Sequence, residues 1–245
     1  MNAGQEMGQN RDEVDTRTSL EAIFGRYGQA ADAYAHDLNR SSSDYEVMKV
    51  NQKYLTDVAS VLKSISEVLN NKDVHQAASH FEAGAWAYLD NSDRLAYRQG
   101  LDGRFTLSTR NSSFLISRLT VIAGRTKRLK ELYGRELQDT ANPKRTALRF
   151  MLDLVLELPI GAWECASCLA MRGNCRDCGY GRDHGICSQP GSNYDMLSSS
   201  KDAILKSIRA NLTEMKMQFN STDTSPLAQM EIDICGQYDI VEVCD

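Results

Sequence analysis

Leu20, Phe24, Tyr27, Ala31, Tyr34 and Leu38 recur at alternating spacings of four and three residues. Only an α-helix brings such positions onto one face, so this alternation restricts the segment to that conformation. Met48, Leu55, Val58, Leu62, Ile65 and Leu69 repeat the period after a short Arg-Ser-Ser-Ser break. Two long amphipathic helices joined this way form an antiparallel pair. The cap signals agree: Thr18 with Glu21 and Ser43 with Glu46 each have capping-box spacing.

The same reading extends along the chain. Val74, Ala77, Phe81 and Tyr88 mark a third helix starting at Asp73, and Ser92 is expected to cap a short fourth one ending near Gly100 or Gly103. Phe105 and Leu107 alternate with polar residues, as in an extended link. A basic helix is expected from Ser112 to Leu137, with Leu115, Leu119, Ile122, Leu129 and Tyr133 inward. Asn142-Pro143 starts another, since proline at the first helical position loses no hydrogen bond. Leu148 to Leu158 is apolar nearly all round, which makes it the central core element. Ile204, Ile208, Leu212, Met215 and Phe219 mark the last helix.

The predicted fold class is therefore all-α, a multi-helix bundle with a small Cys-rich zinc-binding insertion before the last long helix. The expected division is a disordered arm over 1–17, a helical bundle over 18–160, a metal-binding module over 161–190, a C-terminal helix packing on the bundle over 191–222, and an acidic tail over 223–245. Four prolines and 7% aromatic residues in 245 argue against a strand-rich sandwich.

The module is the chemically distinctive stretch. Cys165, Cys168, Cys175, Cys178, His184 and Cys187 lie within 23 residues, in two C-x2-C pairs followed by a histidine and a further cysteine. A C-x2-C turn supplies two thiolates to a tetrahedral zinc ion, and its amides hydrogen-bond the sulfurs, so Zn2+ is the expected cofactor. Cys175-Arg-Asp-Cys178-Gly179 resembles a zinc knuckle, whose glycine lets the turn reverse. The alternative ligand set is Cys165, Cys168, Cys187 and either His184 or Cys175. An iron–sulfur cluster is the rival cofactor, although the C-x2-C-x2-C-x3-C-P run is absent. Cys235 and Cys244 stand apart, as packed or free thiols.

Charge is distributed unevenly. Residues 104–149 hold 11 Lys and Arg against 3 Asp and Glu, in a chain whose net charge is −5. Arg118, Arg125, Arg128 and Arg135 recur at seven, three and seven along the basic helix, as one exposed stripe. Guanidinium groups make bidentate bonds to phosphate, so nucleic acid is the expected partner of that stripe and of Arg172, Arg176 and Arg182 in the module. The contrary expectation is that the stripe pairs with acids elsewhere in the chain. The tail from Asp223 has six acids and no Lys or Arg, with Ile232, Ile234, Ile240 and Val243 suited to docking on a protein.

The first twenty residues lack the apolar core of a secretory signal, and seven cysteines is an odd number, so an intracellular location is expected. The stretch Ala147 to Trp163 carries too many charges to span a bilayer. No His-Glu-x-x-His, deaminase, phosphate-loop or nucleophile-elbow pattern occurs. The expected function is a non-catalytic zinc-containing nucleic-acid-binding subunit or adaptor of a larger assembly. A scaffold working through protein–protein contacts is the second reading, and a metal or iron–sulfur enzyme the third.

Overall fold

The computed structural model describes residues 3–101, 103–172, 174–187 and 189–214, with side chains from Val14 onward. Among them no strand occurs, and the fold is all-helical. The helices are α1 (Ala3–Arg40), α2 (Asp44–Val68), α3 (Lys72–Ala87), α4 (Asn91–Arg98), α5 (Thr109–Asp139), α6 (Pro143–Leu156), α7 (Ala166–Met171), α8 (Gly179–His184) and α9 (Asn193–Glu214). Single 3-10 turns lie at Gly103–Phe105 and Ala162–Glu164. The acidic tail, Cys235 and Cys244 lie outside the described residues.

The long helices close into a ring. In order of contact it runs α1, α2, α3, α9, α6 and α5, with α5 returning to α1. Each of the apolar seams read above faces into it: Leu20, Tyr27, Ala31, Leu55, Val58, Leu62, Ile65, Leu115, Leu119, Leu129, Ile204 and Ile208 are all fully buried. Phe150 of α6 sits in the middle of an aromatic cluster, 4.3 Å from Phe24, 5.0 Å from Tyr27 and 5.7 Å from Tyr133 between ring centroids. The edge-to-face contacts with the tyrosines add to the area they bury.

Local chemistry decides where the helices start and stop. Ser43 accepts from the amide of Glu46, and the Glu46 carboxylate accepts from the amide and hydroxyl of Ser42. Asn71, Ser108 and Asn142 cap α3, α5 and α6 through their side chains. Three expectations are corrected. The first helix begins at Ala3 and not at Thr18, whose hydroxyl donates to the Val14 carbonyl inside the helix instead of capping it. The fourth helix is capped by Asp90 and not Ser92: Asp90 accepts from the Ser92 and Asp93 amides, and Asp93 reaches back to the Asp90 amide. The expected extended link after Gly103 is a 3-10 turn that buries Phe105.

Two buried polar side chains tie the ring to the end that carries the cysteines. Gln52 donates from one amide nitrogen to the carbonyls of Ala85, Trp86 and Leu89 at 2.8–2.9 Å, closing the C-terminal end of α3. Asn51 accepts from the Tyr34 hydroxyl and donates to the Pro159 carbonyl, each at 2.9 Å, which holds the chain as it leaves α6.

Close helix approach depends on glycine at one position in particular. A Cβ on Gly84 of α3 would lie 3.2 Å from the Leu197 backbone nitrogen of α9. Backbone cannot step aside as a side chain can, so α3 and α9 must separate. Gly84→Ala is expected to cost about 1–3 kcal/mol, read as a lower midpoint in chemical unfolding with an unchanged m-value.

Candidate metal centre and its arginine rim

The cysteine module occupies the end of the ring formed by the starts of α2, α5 and α9 and the last turn of α3. The Ala166 amide faces the Met48 sulfur, Asn111 donates to the Leu169 carbonyl, and Asn193 donates to the Ala87 carbonyl at 2.7 Å. The site is thus mounted on four of the long helices, not on a free loop.

Each C-x2-C pair opens a short helix. Cys165 precedes α7, with the amides of Ser167 and Cys168 against its sulfur, and Cys178 precedes α8, with the amides of Tyr180 and Gly181 against its own. This is the amide arrangement expected of thiolate turns. The role assigned to Gly179 is different from expectation. Its backbone does not take a left-handed conformation; instead a Cβ there would meet Cγ of Arg104 at 2.6 Å. The glycine makes room for an arginine stem.

The five thiols gather at one place. Cys168, Cys175, Cys178 and Cys187, with Met171, Asn174, Gly181 and Ile186, line a single cavity of ≈ 10 Å³. Cys165 lies at its back, buried, and its sulfur touches the Cys168 thiol and the Tyr88 hydroxyl. The Cys168 thiol touches both Cys165 and Cys187. These contacts set the acidities. Hydrogen bonding from Cys168 lowers the Cys165 thiol to about 6 against the opposing effect of burial, with Tyr88 and the two amides helping. Cys187 is lowered for the same first reason. Cys168, which must serve both neighbours, is pushed far up, and burial raises Cys178. Of the two thiols so lowered, Cys187 lines the cavity and Cys165 does not.

His184 belongs to a different set. It is absent from the cavity wall, its Nδ1 is 2.8 Å from the Asn193 amide nitrogen, and its Nε2 is 2.8 Å from Oδ2 of Asp93. Its ring stacks on Tyr180 at 4.2 Å, and the Tyr180 hydroxyl donates to the Tyr88 carbonyl. Burial opposes the imidazolium, but the Asp93 carboxylate outweighs it and the His184 pKa is raised.

Asp93 is the hub that the sequence did not disclose. It is fully buried, and its two oxygens meet the Asp90 amide, His184 and, at 3.1 Å, the Arg104 guanidinium. The same Arg104 nitrogen reaches Asp183 at 2.7 Å. Asp90, Asp93 and His184 also form the group of three, among the described residues, whose ligand atoms all lie within 4.8 Å of one another. The guanidinium already neutralises Asp93, and Asp90 is spent on capping α4, so this group works as an ionic clasp between α4, the 3-10 turn and α8. The signal available in the sequence was the Asp90–Asp93 spacing; nothing in it pointed from Asp93 to His184, 91 positions away.

The arginine stripe of α5 is broken up. Arg125 is buried and pairs with Glu157 at 3.4 Å, and Arg118 pairs with the buried Glu164. The expectation of one exposed stripe is corrected at Arg125, which Glu157 at the end of α6 holds inward, while Arg118 stays exposed although its guanidinium is paired. Arg128 is exposed, and exposed Arg135 donates back to the Glu131 carbonyl within its own helix. Arg172, Arg176 and Arg182, by contrast, are all exposed on the cysteine module, with no ion pair to another described residue. Arg172 ends α7 in a left-handed conformation, φ 50°, which turns the chain around the cavity.

No helix among the described residues is long and apolar enough to cross a membrane. No family model matches the chain, and neither a curated protein nor a solved structure resembles it at a significant level.

Proposed function

We propose that the protein is a non-catalytic, zinc-stabilised adaptor that contacts nucleic-acid phosphates through the arginine rim of its cysteine module. The observation that carries this reading is that Cys168, Cys175, Cys178 and Cys187 line one cavity while Arg172, Arg176 and Arg182 stay exposed on the turns around it. Those four cysteines supply the ligands, closing a tetrahedral site with no open position for chemistry. Zinc then rigidifies the turns, so that the guanidinium groups are held at fixed separations for a phosphate backbone. The α5 stripe has no part in this, since Arg118 and Arg125 are committed to Glu164 and Glu157.

The test is binding of the zinc-loaded protein to labelled single- and double-stranded DNA and RNA over a salt series. Affinity is expected to fall linearly on a double logarithmic plot, and replacing Arg172, Arg176 and Arg182 together by Ala to reduce the slope by about 2–3. No binding at low salt sinks the reading. A scaffold role through protein contacts is the second reading, favoured by the exposed Trp86 and Leu101, which are 64% and 75% accessible.

A further inference from the structure

Four cysteines line the cavity, and a fifth, Cys165, is buried one helical turn from one of them. We propose that Cys165 and Cys168 form an oxidisable dithiol, whose conversion to a disulfide by a hydroperoxide removes Cys168 from the metal and loosens the module. The proposal rests on the ligand set given above and adds a regulation to it.

Three observations carry it. Cys165 stands at the cap of α7 and Cys168 in its first turn, three residues on. Residues three apart in one helical turn have Cα atoms about 5–6 Å apart, inside the range a disulfide spans without moving the backbone. The two members differ in access: Cys168 is half-buried and faces the cavity, whereas Cys165 is 5% exposed behind it. A small oxidant therefore meets Cys168 first, and the second thiol waits where solvent does not compete.

The step balances without a further reagent. The Cys168 sulfur, which metal ligation would keep deprotonated against the upward pull of its neighbours, attacks the O–O bond of hydrogen peroxide, forming an S–O bond and releasing hydroxide. The Cys165 thiolate then attacks the Cys168 sulfur, forming S–S and expelling the second hydroxide. Two electrons pass from the sulfur pair to the peroxide, and the two hydroxides take up two protons from the buffer, those lost when the thiols ionised, to leave two waters. A disulfide sulfur is no longer a thiolate ligand, so the ion is left with three and departs.

The experiment treats full-length, zinc-loaded protein with hydrogen peroxide, follows released zinc with a chromogenic chelator, and maps disulfides by peptide mass spectrometry. Wild type is expected to release its zinc as a Cys165–Cys168 disulfide appears, and to recover on reduction. Cys165→Ser and Cys165→Ala, both checked for native helicity, should bind zinc with the same stoichiometry and release it about tenfold more slowly, through slower over-oxidation. Equal release rates in the variants, or a mapped bridge between other cysteines, overturns the proposal. So does loss of zinc binding in both variants, which would make Cys165 a ligand. If wild type takes up no zinc, the metal reading fails by itself, and the peroxide-dependent bridge still decides the dithiol.

Discussion

On the zinc-adaptor proposal, stripping the metal is expected to lower the unfolding midpoint by about 10–20 °C, and Cys175→Ser or Cys178→Ser to do the same without a chelator. The size follows from where the site sits. Isolated zinc fingers owe their whole fold to about 10–16 kcal/mol of metal binding. Here the ring of α1, α2, α3, α5, α6 and α9 has its own core, so only the module's share is lost. Taking that share as about 5 kcal/mol, a chain of this length shifts by about 2–4 °C per kcal/mol. Differential scanning calorimetry with and without chelator, beside a metal assay, gives the answer. Identical midpoints with no bound metal would remove the zinc centre from the account. Cys165→Ser should leave the midpoint close to that of wild type, because Cys165 lies behind the cavity and not on its wall.

Removing the carboxylate of Asp93 is expected to destabilise the protein by about 3–5 kcal/mol, since it takes from two buried cationic partners the counter-charge they share. In Asp93→Ala the Arg104 guanidinium, only 10% exposed, and the buried His184 lose their shared oxygen pair, and α4 loses half of its capping box. Asp183 provides the control. It meets the same Arg104 nitrogen at 2.7 Å, but its side chain is 54% exposed. Water and salt screen such a contact, so Asp183→Ala is expected to cost less than about 1 kcal/mol. Urea unfolding of the two variants separates the outcomes, and amide exchange over Gly179–His184 should quicken in Asp93→Ala alone. Equal losses in both variants would show that Arg104, and not Asp93, anchors the clasp.

These two expectations concern parts of the molecule that were unequally visible beforehand. The zinc prediction uses residues that spacing alone brought forward: two C-x2-C turns must each place their sulfurs together, whatever surrounds them. The Asp93 prediction uses a residue that looked like any other acid in a helical first turn. Its partners come from residue 104 and residue 184, and no periodicity links them.

The arginines show the same division within one residue type. Arg118, Arg125, Arg128 and Arg135 share a face by helical arithmetic, which is a local fact and was read as one. Whether its guanidinium groups are free depends on Glu157 and Glu164, which arrive from the end of α6 and the turn after it. A charge pattern specifies what a surface would offer, and only packing specifies whether it is a surface. The module arginines escaped this: Arg172 and Arg176 lie on turns and Arg182 on the short helix α8, all three exposed.

What the sequence by itself determined is therefore the set of local interactions: the inward faces of the long helices, the caps at Ser43 and Asn142, and the gathering of thiols between Cys165 and Cys187. Each rests on residues a few positions apart, where backbone geometry leaves little choice. The tertiary structure decided the closure of the helices into a ring, the assignment of His184 to Asp93 instead of to the thiols, the use of Gly179 as space for Arg104, and the pairing of Arg118 and Arg125 with acids, the second of them buried. Those depend on contacts between positions tens of residues apart, whose partners are selected by the packing of the whole chain.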